Sequence, residues 1–368
     1  MKKILIICAN TFGYNGIAAV ILNEYKAFDK EKMQIDLLFN NEPPEEIKEI
    51  FTKNNSKLYI MERNKNPLKY IRKLKKVMRE NKYDLVHVHG NSATMAVELL
   101  AAKKAGVKVR IPHSHNTTCN HIKIHKLLKP IFDRSYTHGF ACGQSAGKWL
   151  FGNKDFVVIN NGIDTKRFTY NKEYRDEIRI RYNLKGKFVV GHVGVFNHQK
   201  NHEKLIEIFE QVSKINDRAV LVLIGEGETK EHIMKLVSEK WLENKVIFVG
   251  TTNDVHKFMN AFDVMALPSR FEGFPVVLVE AQCTGLHCVV STNVSAEADI
   301  TGLVEYANYE DNINEFIKKI NLVGLNKVDR ACVGVESAKT ISLKGYSIWE
   351  NGARIQELYE KYINESYK

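Results

Sequence analysis

Short apolar runs alternate with amphipathic stretches along this chain, and that alternation limits its possible folds more than any other feature. Over the first half, runs at 3–9, 34–39, 57–60, 84–89, 107–112, 139–142 and 156–159 read as strands. Helical spacing fills the gaps, near 17–28, 44–51, 67–81, 92–104, 124–134 and 145–151. Strands that alternate with helices build a parallel, doubly wound sheet. After a highly charged connection ending near Lys187 the pattern restarts at 188–193 and continues through 221–224, 246–249 and 264–268. A chain of 368 residues is long enough for two such units, each with its own core. The expected domains are 1–165 and 166–345, followed by an amphipathic tail helix over 346–368.

Charge separates the halves. Residues 1–165 carry 27 Lys+Arg against 15 Asp+Glu, and the remaining residues carry 27 against 28, so the net charge of +11 lies in the first half. Part of it sits on the helix over 67–81. There Leu68, Ile71, Leu74, Val77 and Met78 form an apolar stripe, and Lys69, Arg72, Lys73, Lys75, Lys76 and Arg79 cover the rest. A second basic stretch spans 121–129. No nucleic-acid-binding module accompanies this charge, so the expected partner is an anionic membrane surface or a polyphosphate-linked acceptor. No apolar run reaches the roughly 18 residues of a membrane span. The N-terminal run is too short for a leader and reads as a first strand. The six cysteines show no Cys-x-x-Cys spacing and read as reduced thiols of a cytoplasmic protein.

In doubly wound sheets ligands bind beyond the carboxyl ends of the strands, which directs attention to the loops there. The first, 10–17, carries Gly13 and Gly16 at a strand–helix junction where backbone amides can meet a phosphate. It is not a dinucleotide fingerprint. Next come Val86-His87-Val-His89-Gly90, with both histidines on one face, and Ile111-Pro-His113-Ser-His115-Asn. Four histidines raise the question of a metal, but no acidic residue sits near them at ligand spacing, so no metal site is expected. Asn161-Gly162 reads as a left-handed turn.

The second half holds Gly194-Val-Phe-Asn-His-Gln-Lys200-Asn, with Lys200 placed to neutralise a phosphate and Asn201 as an N-cap. It also holds Pro268-Ser-Arg-Phe-Glu272-Gly-Phe-Pro, where Pro275 suits a first helical position and Gly285 the residue that closes the helix. Glu280 then lies on the first turns of a helix whose amino end attracts an anion.

This stretch resembles the donor-binding motif of the retaining glycosyltransferases of family 4, which have the GT-B fold. Ile159-Asn-Asn-Gly-Ile-Asp164, Leu223-Ile-Gly-Glu-Gly227 and Asp254-Val…Phe262-Asp263-Val add to the likeness, which covers nearly the whole chain in the family's order. It is greatest to members that build bacterial capsules and exopolysaccharides.

The resemblance implies two Rossmann-like domains facing a central cleft, with the tail helix crossing back to the first. It implies transfer of a sugar, with retention of configuration, from a nucleotide-sugar (UDP by resemblance) to a lipid-linked saccharide. Front-face attack fits, with closure of the domains excluding water. Among catalytic groups it points to Glu272, Lys200 and either His113 or His115. The donor-binding set becomes Gly16, Gly194, Asn197, Lys200, Gly225, Thr251, Thr252, Arg270, Glu272, Gly273, Phe274, Pro275, Val276 and Glu280, with Glu280 on the ribose. The family's usual Gly-Gly is Asn15-Gly16 here, and Val195 stands where the family carries an arginine. Loss of that guanidinium removes a bidentate phosphate contact, for which Arg270 and His198 are the candidate replacements. No Asp-x-Asp occurs, so no cofactor and no metal are expected. The competing reading is a non-catalytic nucleotide-sugar-binding protein.

Overall fold

The computed structural model describes residues 1–13, 16–63, 66–119, 121–272, 274–308, 313–325 and 329–368. Of the sequence-derived candidates, Gly273 and Asn15 lie outside the described residues. The chain divides into two units, one of Met1–Gly162 with Ser347–Lys368 and the other of Ile163–Tyr346.

In the first unit, β1 (Lys2–Cys8), β2 (Met33–Phe39), β3 (Leu58–Ile60), β4 (Leu85–Gly90), β5 (Val109–Ser114), β6 (Phe140–Ala141) and β7 (Val157–Val158) form one sheet. Its order is β3-β2-β1-β4-β5-β6-β7, and every pairing is parallel. Connections run through α1 (Gly16–Ala27), α2 (Glu45–Thr52), α3 (Pro67–Asn81), α4 (Ala96–Ala105), α5 (Ile122–Asp133) and α6 (Gln144–Phe151). Strand β1 shows why the runs lack polar alternation. Ile4, Ile6 and Cys8 enter one core with Tyr25 and Phe39, while Leu5, Ile7 and Ala9 enter another with Leu74 and Leu99. A sheet covered on both faces needs apolar residues on both. Local signals set the helix ends. Asn66 accepts a hydrogen bond from the Lys69 amide at 3.0 Å ahead of Pro67, and Gly106 closes α4 at φ 91°.

The second unit repeats the plan with β8 (Phe188–Val193), β9 (Ala219–Ile224), β10 (Val246–Gly250), β11 (Val264–Leu267), β12 (Cys288–Ser291) and β13 (Val304–Ala307), in the order β10-β9-β8-β11-β12-β13. Its helices are α7 (Thr165–Phe168), α8 (Lys172–Arg181), α9 (His202–Ile215), α10 (Lys230–Glu239), α11 (Val255–Ala261), α12 (Val276–Cys283), α13 (Asn314–Leu325) and α14 (Arg330–Leu343). In both sheets the strand order reverses once, between β1 and β4 and between β8 and β11. At such a reversal the loops that follow two adjacent strands leave on opposite faces of the sheet, which is where ligands of doubly wound folds bind.

The last helix, α15 (Ile348–Ser366), packs on α1 of the first unit. Gly352 permits this approach, since a Cβ there would stand 2.6 Å from that of Ala27. Gln356 both accepts from the Asp29 amide, at 2.8 Å, and donates to its carbonyl, at 3.0 Å.

Two local expectations need correction. Neither Asn161 nor Gly162 has a positive φ. Glycine is required at 162 for proximity instead, because a Cβ would meet the Ile348 amide nitrogen at 2.9 Å. Pro275 precedes α12 as its N-cap residue, and Val276 is the first helical position. Gly285 does adopt φ 66°, the left-handed conformation that ends a helix.

Candidate functional site

At the β8/β11 reversal, the loop after β8 is shaped by close backbone approaches. A Cβ on Gly225 would lie 2.0 Å from the Gly194 carbonyl oxygen, and one on Gly227 would lie 2.3 Å from that of Phe196. Both glycines have positive φ, 141° and 156°, so the loops after β8 and β9 interlock as no other residue permits. A Cβ on Gly194 would press on the Lys200 side chain at 3.2 Å. Glycine there lets Lys200 lie along the strand end. The Asn197 carboxamide accepts from the Lys200 amide at 3.0 Å and fixes the turn. Asn201 occupies the N-cap position in a left-handed conformation, φ 55°, but its side chain does not cap the helix. It donates instead to the Pro268 carbonyl at 3.3 Å, tying this loop to the one after β11.

That second loop carries Glu272. Its carboxylate accepts from Lys200 Nζ at 2.6 Å and from Gln199 Nε2 at 3.1 Å. Main-chain bonds hold Glu272 on the far side as well: its amide donates to Asn293, and its carbonyl accepts from Ser295. The Lys200 and Glu272 side chains are 15% and 9% exposed, so the pair is largely withdrawn from bulk water yet still reachable. Beneath the turn, His192 Nδ1 donates to the Ala266 carbonyl at 2.8 Å, and the His202 ring stacks on Phe196. Burial pushes these imidazoles down to about 4 and about 2, so both are neutral and the positive charge of the turn is that of Lys200.

The remaining candidates of this unit lie on the loops after β8, β10 and β11 and on α12. The Arg270 amide donates to the Gln199 carbonyl at 2.8 Å, next to Lys200, and its Nε has no hydrogen-bond partner among the described residues. Val195 is 48% exposed. Phe274 stacks on Tyr346 with centroids 5.3 Å apart. Thr252 accepts from the Asp254 amide at 3.0 Å in the turn opened by Gly250, while Thr251 is exposed. Glu280 is half-buried on α12. Burial raises its carboxyl to about 7, against the pull of the nearby Arg167 cation.

The first unit is built differently at its own reversal. Gly16 opens α1 with nothing within 4 Å of where a Cβ would stand. Deeper in, His87, His89 and His113 are fully buried, with ring centroids 4.1 to 5.2 Å apart. His115 is partly exposed and meets His89, Nε2 to Nδ1, at 2.9 Å. Burial drives the first three imidazoles well below their usual range and His115 down to about 4. His113, which follows its strand more directly in sequence, is sealed off from solvent. His115 alone of the four is partly exposed, although its Nδ1 is buried.

The premise used against a metal also changes. No carboxylate is near these histidines in sequence, but α1 brings Glu24 among them. Its oxygens lie 3.5 Å from His89 Nε2 and 3.8 Å from His113 Nδ1. Glu24, Gln199 and Tyr359, whose hydroxyl meets His87 Nδ1 at 2.6 Å, are the groups that sequence reasoning missed. For Glu24 a signal existed: it lies with Ile17, Val20 and Ile21 on the apolar stripe of α1, where a charged residue is out of place.

Comparison with known proteins gives two family matches, to Glycosyltransferase Family 4 over residues 14–167 and to Glycosyl transferases group 1 over residues 174–335. The chain is 30% identical over 361 residues to the glycosyltransferase named EpsF of Bacillus subtilis (strain 168), covering 94% of this chain and 93% of that one. It is 26% identical over 373 residues to the UDP-Gal:alpha-D-GlcNAc-diphosphoundecaprenol alpha-1,3-galactosyltransferase of Escherichia coli, with the same coverage, 94% and 93%. The fold matches the crystal structure of Anabaena HepE in complex with UDP at a TM-score of 0.79 and 18% identity, over 98% of this chain and 100% of that one.

Proposed function

The chain belongs to glycosyltransferase family 4, and from that premise we propose that it moves a sugar from UDP to a hydroxyl of a lipid-diphosphate-linked saccharide. The transfer retains anomeric configuration, needs no metal on the diphosphate, and serves bacterial capsule or exopolysaccharide assembly. The observation that carries this reading is the Lys200–Glu272 pair at the β8/β11 reversal. A cation there meets the charge that develops on a departing diphosphate, and a carboxylate beside it accepts hydrogen bonds from sugar hydroxyls.

In the proposed reaction the bond from the anomeric carbon to the β-phosphate oxygen breaks. The acceptor oxygen bonds to that carbon on the same face, and the acceptor proton passes to the departing phosphate oxygen. Lys200 shifts from Glu272 toward the diphosphate, and Glu280 accepts from the ribose hydroxyls. Arg270 supplies the charge missing at Val195, since its backbone is tied to the residue before Lys200. His115, the partly exposed member of the histidine group, is assigned to the sugar. The two curated relatives support the substrate class only by what they are named for, which in one case is UDP-Gal and a diphosphoundecaprenol-linked sugar.

No helix among the described residues is long and apolar enough to cross a membrane. Contact with the cytoplasmic face of one is proposed through α5, where Ile122, Ile124, Leu127 and Ile131 are exposed beside Lys123 and Lys126.

The test is release of UDP from a panel of UDP-sugars, with and without a diphosphoundecaprenol-linked sugar. Release that depends on the acceptor, persists when Mg2+ and Mn2+ are omitted, and yields a product with the donor's anomeric configuration supports the reading. The exposed Val195 favours one alternative, a protein that binds the nucleotide-sugar without turnover. Saturable binding with no UDP release for any donor identifies that case.

A further inference from the structure

The buried histidines of the first unit carry an inference that does not depend on sugar transfer. Glu24, His87, His89 and His113 each offer a ligand atom, and the four atoms lie within 4.8 Å of one another. Every side chain is at least nine-tenths buried: Glu24 is 6% exposed and the three histidines 0%. Among the described residues Glu24 Oε2, His87 Nε2 and His89 Nε2 have no hydrogen-bond partner, and neither ring nitrogen of His113 is bonded to another member of the group. Buried polar atoms are ordinarily paired, and four side chains with unpaired atoms whose ligand atoms lie this close together require a common explanation. The outward nitrogens, by contrast, are engaged. His87 Nδ1 meets the Tyr359 hydroxyl at 2.6 Å, and His89 Nδ1 meets His115 Nε2 at 2.9 Å. With the proton on each Nδ1, these partners accept it and both Nε2 lone pairs point at the cluster. Metal-binding imidazoles are held in the same way by a second layer of hydrogen bonds.

We propose that Glu24, His87, His89 and His113 bind one zinc-class divalent ion in a closed, four-coordinate structural site. Three imidazole nitrogens and one carboxylate oxygen suit zinc and its first-row neighbours, whereas magnesium and calcium prefer all-oxygen shells. Ligand atoms of a tetrahedral zinc stand about 3.4 Å apart. The present limit of 4.8 Å is wider than that, so binding would draw the four side chains closer together. The ion would join the ends of β4 and β5 to α1. Through His89 it would also fix the tautomer of His115, so that His115 Nε2 accepts and the proton sits on Nδ1. The site belongs to the first unit and Lys200 and Glu272 to the second, and the transfer reaction proposed above remains free of metal on the diphosphate.

The untagged full-length chain is stripped with a chelator, dialysed against zinc and analysed by mass spectrometry for bound metal, with Co2+ as a spectroscopic substitute. The expected result is about one ion per chain, visible d–d bands of a tetrahedral cobalt site, and a higher melting temperature with zinc. Glu24→Gln and His113→Gln should each lower occupancy by about tenfold or more. If either variant fails to fold, the stoichiometry and cobalt spectrum of the unaltered chain still decide. The proposal is overturned by a chain that takes up no zinc, by cobalt bands that are absent or octahedral, or by full occupancy in folded Glu24→Gln, which would mark an adventitious surface ion.

Discussion

At the reversal of the second sheet, the groups facing outward come from two short loops: one ion pair, flanked by glycines whose backbones touch. At the reversal of the first sheet, four imidazoles and a carboxylate converge from α1, β4 and β5, and all but His115 are shut off from water. The second arrangement, proposed above as the diphosphate site, is built from turn geometry that a few consecutive residues encode. The first is a side-chain cluster that exists only once distant segments have packed. Changes in the second unit should therefore act on donor handling and on loop geometry, and changes in the first on packing.

Lys200→Met breaks this contrast most directly. Acceptor-dependent UDP release should fall by about 100-fold to 1,000-fold, because the diphosphate loses its cation. The variant should also lose about 2 kcal/mol in chemical denaturation, since Glu272 is left with Gln199 alone. Adding Glu272→Gln should restore the stability and not the activity. If Lys200→Met keeps full turnover, the Lys200–Glu272 pair is not the donor site.

Gly225→Ala should cost about 3 kcal/mol, from a φ of 141° and a Cβ only 2.0 Å from the Gly194 carbonyl oxygen. Gly16→Ala in the first unit, where that space is open, should cost less than about 1 kcal/mol. Equal losses of melting temperature would remove the distinction between the units.

Glu280→Gln should weaken UDP binding by about 10-fold to 100-fold in calorimetry. The wild-type affinity should itself decline as pH falls through about 7, because the carboxyl takes up its proton there and loses acceptor capacity. Stability moves the other way. The folded-state pKa is raised, so the contribution of Glu280 is fully present below its ordinary value of 4.5 and is lost as pH rises through about 7. Glu280→Gln should flatten both profiles.

The smallest effect is expected at Tyr359→Phe, which removes the 2.6 Å bond to His87 and should cost about 1 kcal/mol by urea titration while UDP affinity stays unchanged.

The fold class was readable because alternation is a local signal. Each apolar run needs only its own composition to declare a covered strand, and the plan of two doubly wound sheets follows from the repetition, whereas GT-B came from the family resemblance. Lys200 and Glu272 were likewise visible as residues of strand-end loops, although that they touch depends on the reversal of strand order. Glu24 was missed because its partners are 63 to 89 residues away in sequence, so ligand-spacing rules search the wrong window. Tyr359 reaches His87 across 272 positions, from a tail helix that the resemblance sends back to the first domain without naming what it meets there. Gly162 was assigned to a turn because Asn-Gly favours one, whereas its need is set by Ile348, which packs against it from the far end of the chain.

The most direct test of the central claim is a crystal structure of the chain soaked with UDP. The account predicts diphosphate oxygens within hydrogen-bond distance of Lys200 Nζ, with the ribose hydroxyls on the Glu280 carboxylate. UDP bound away from the β8/β11 reversal, with the Lys200–Glu272 pair untouched, would contradict it.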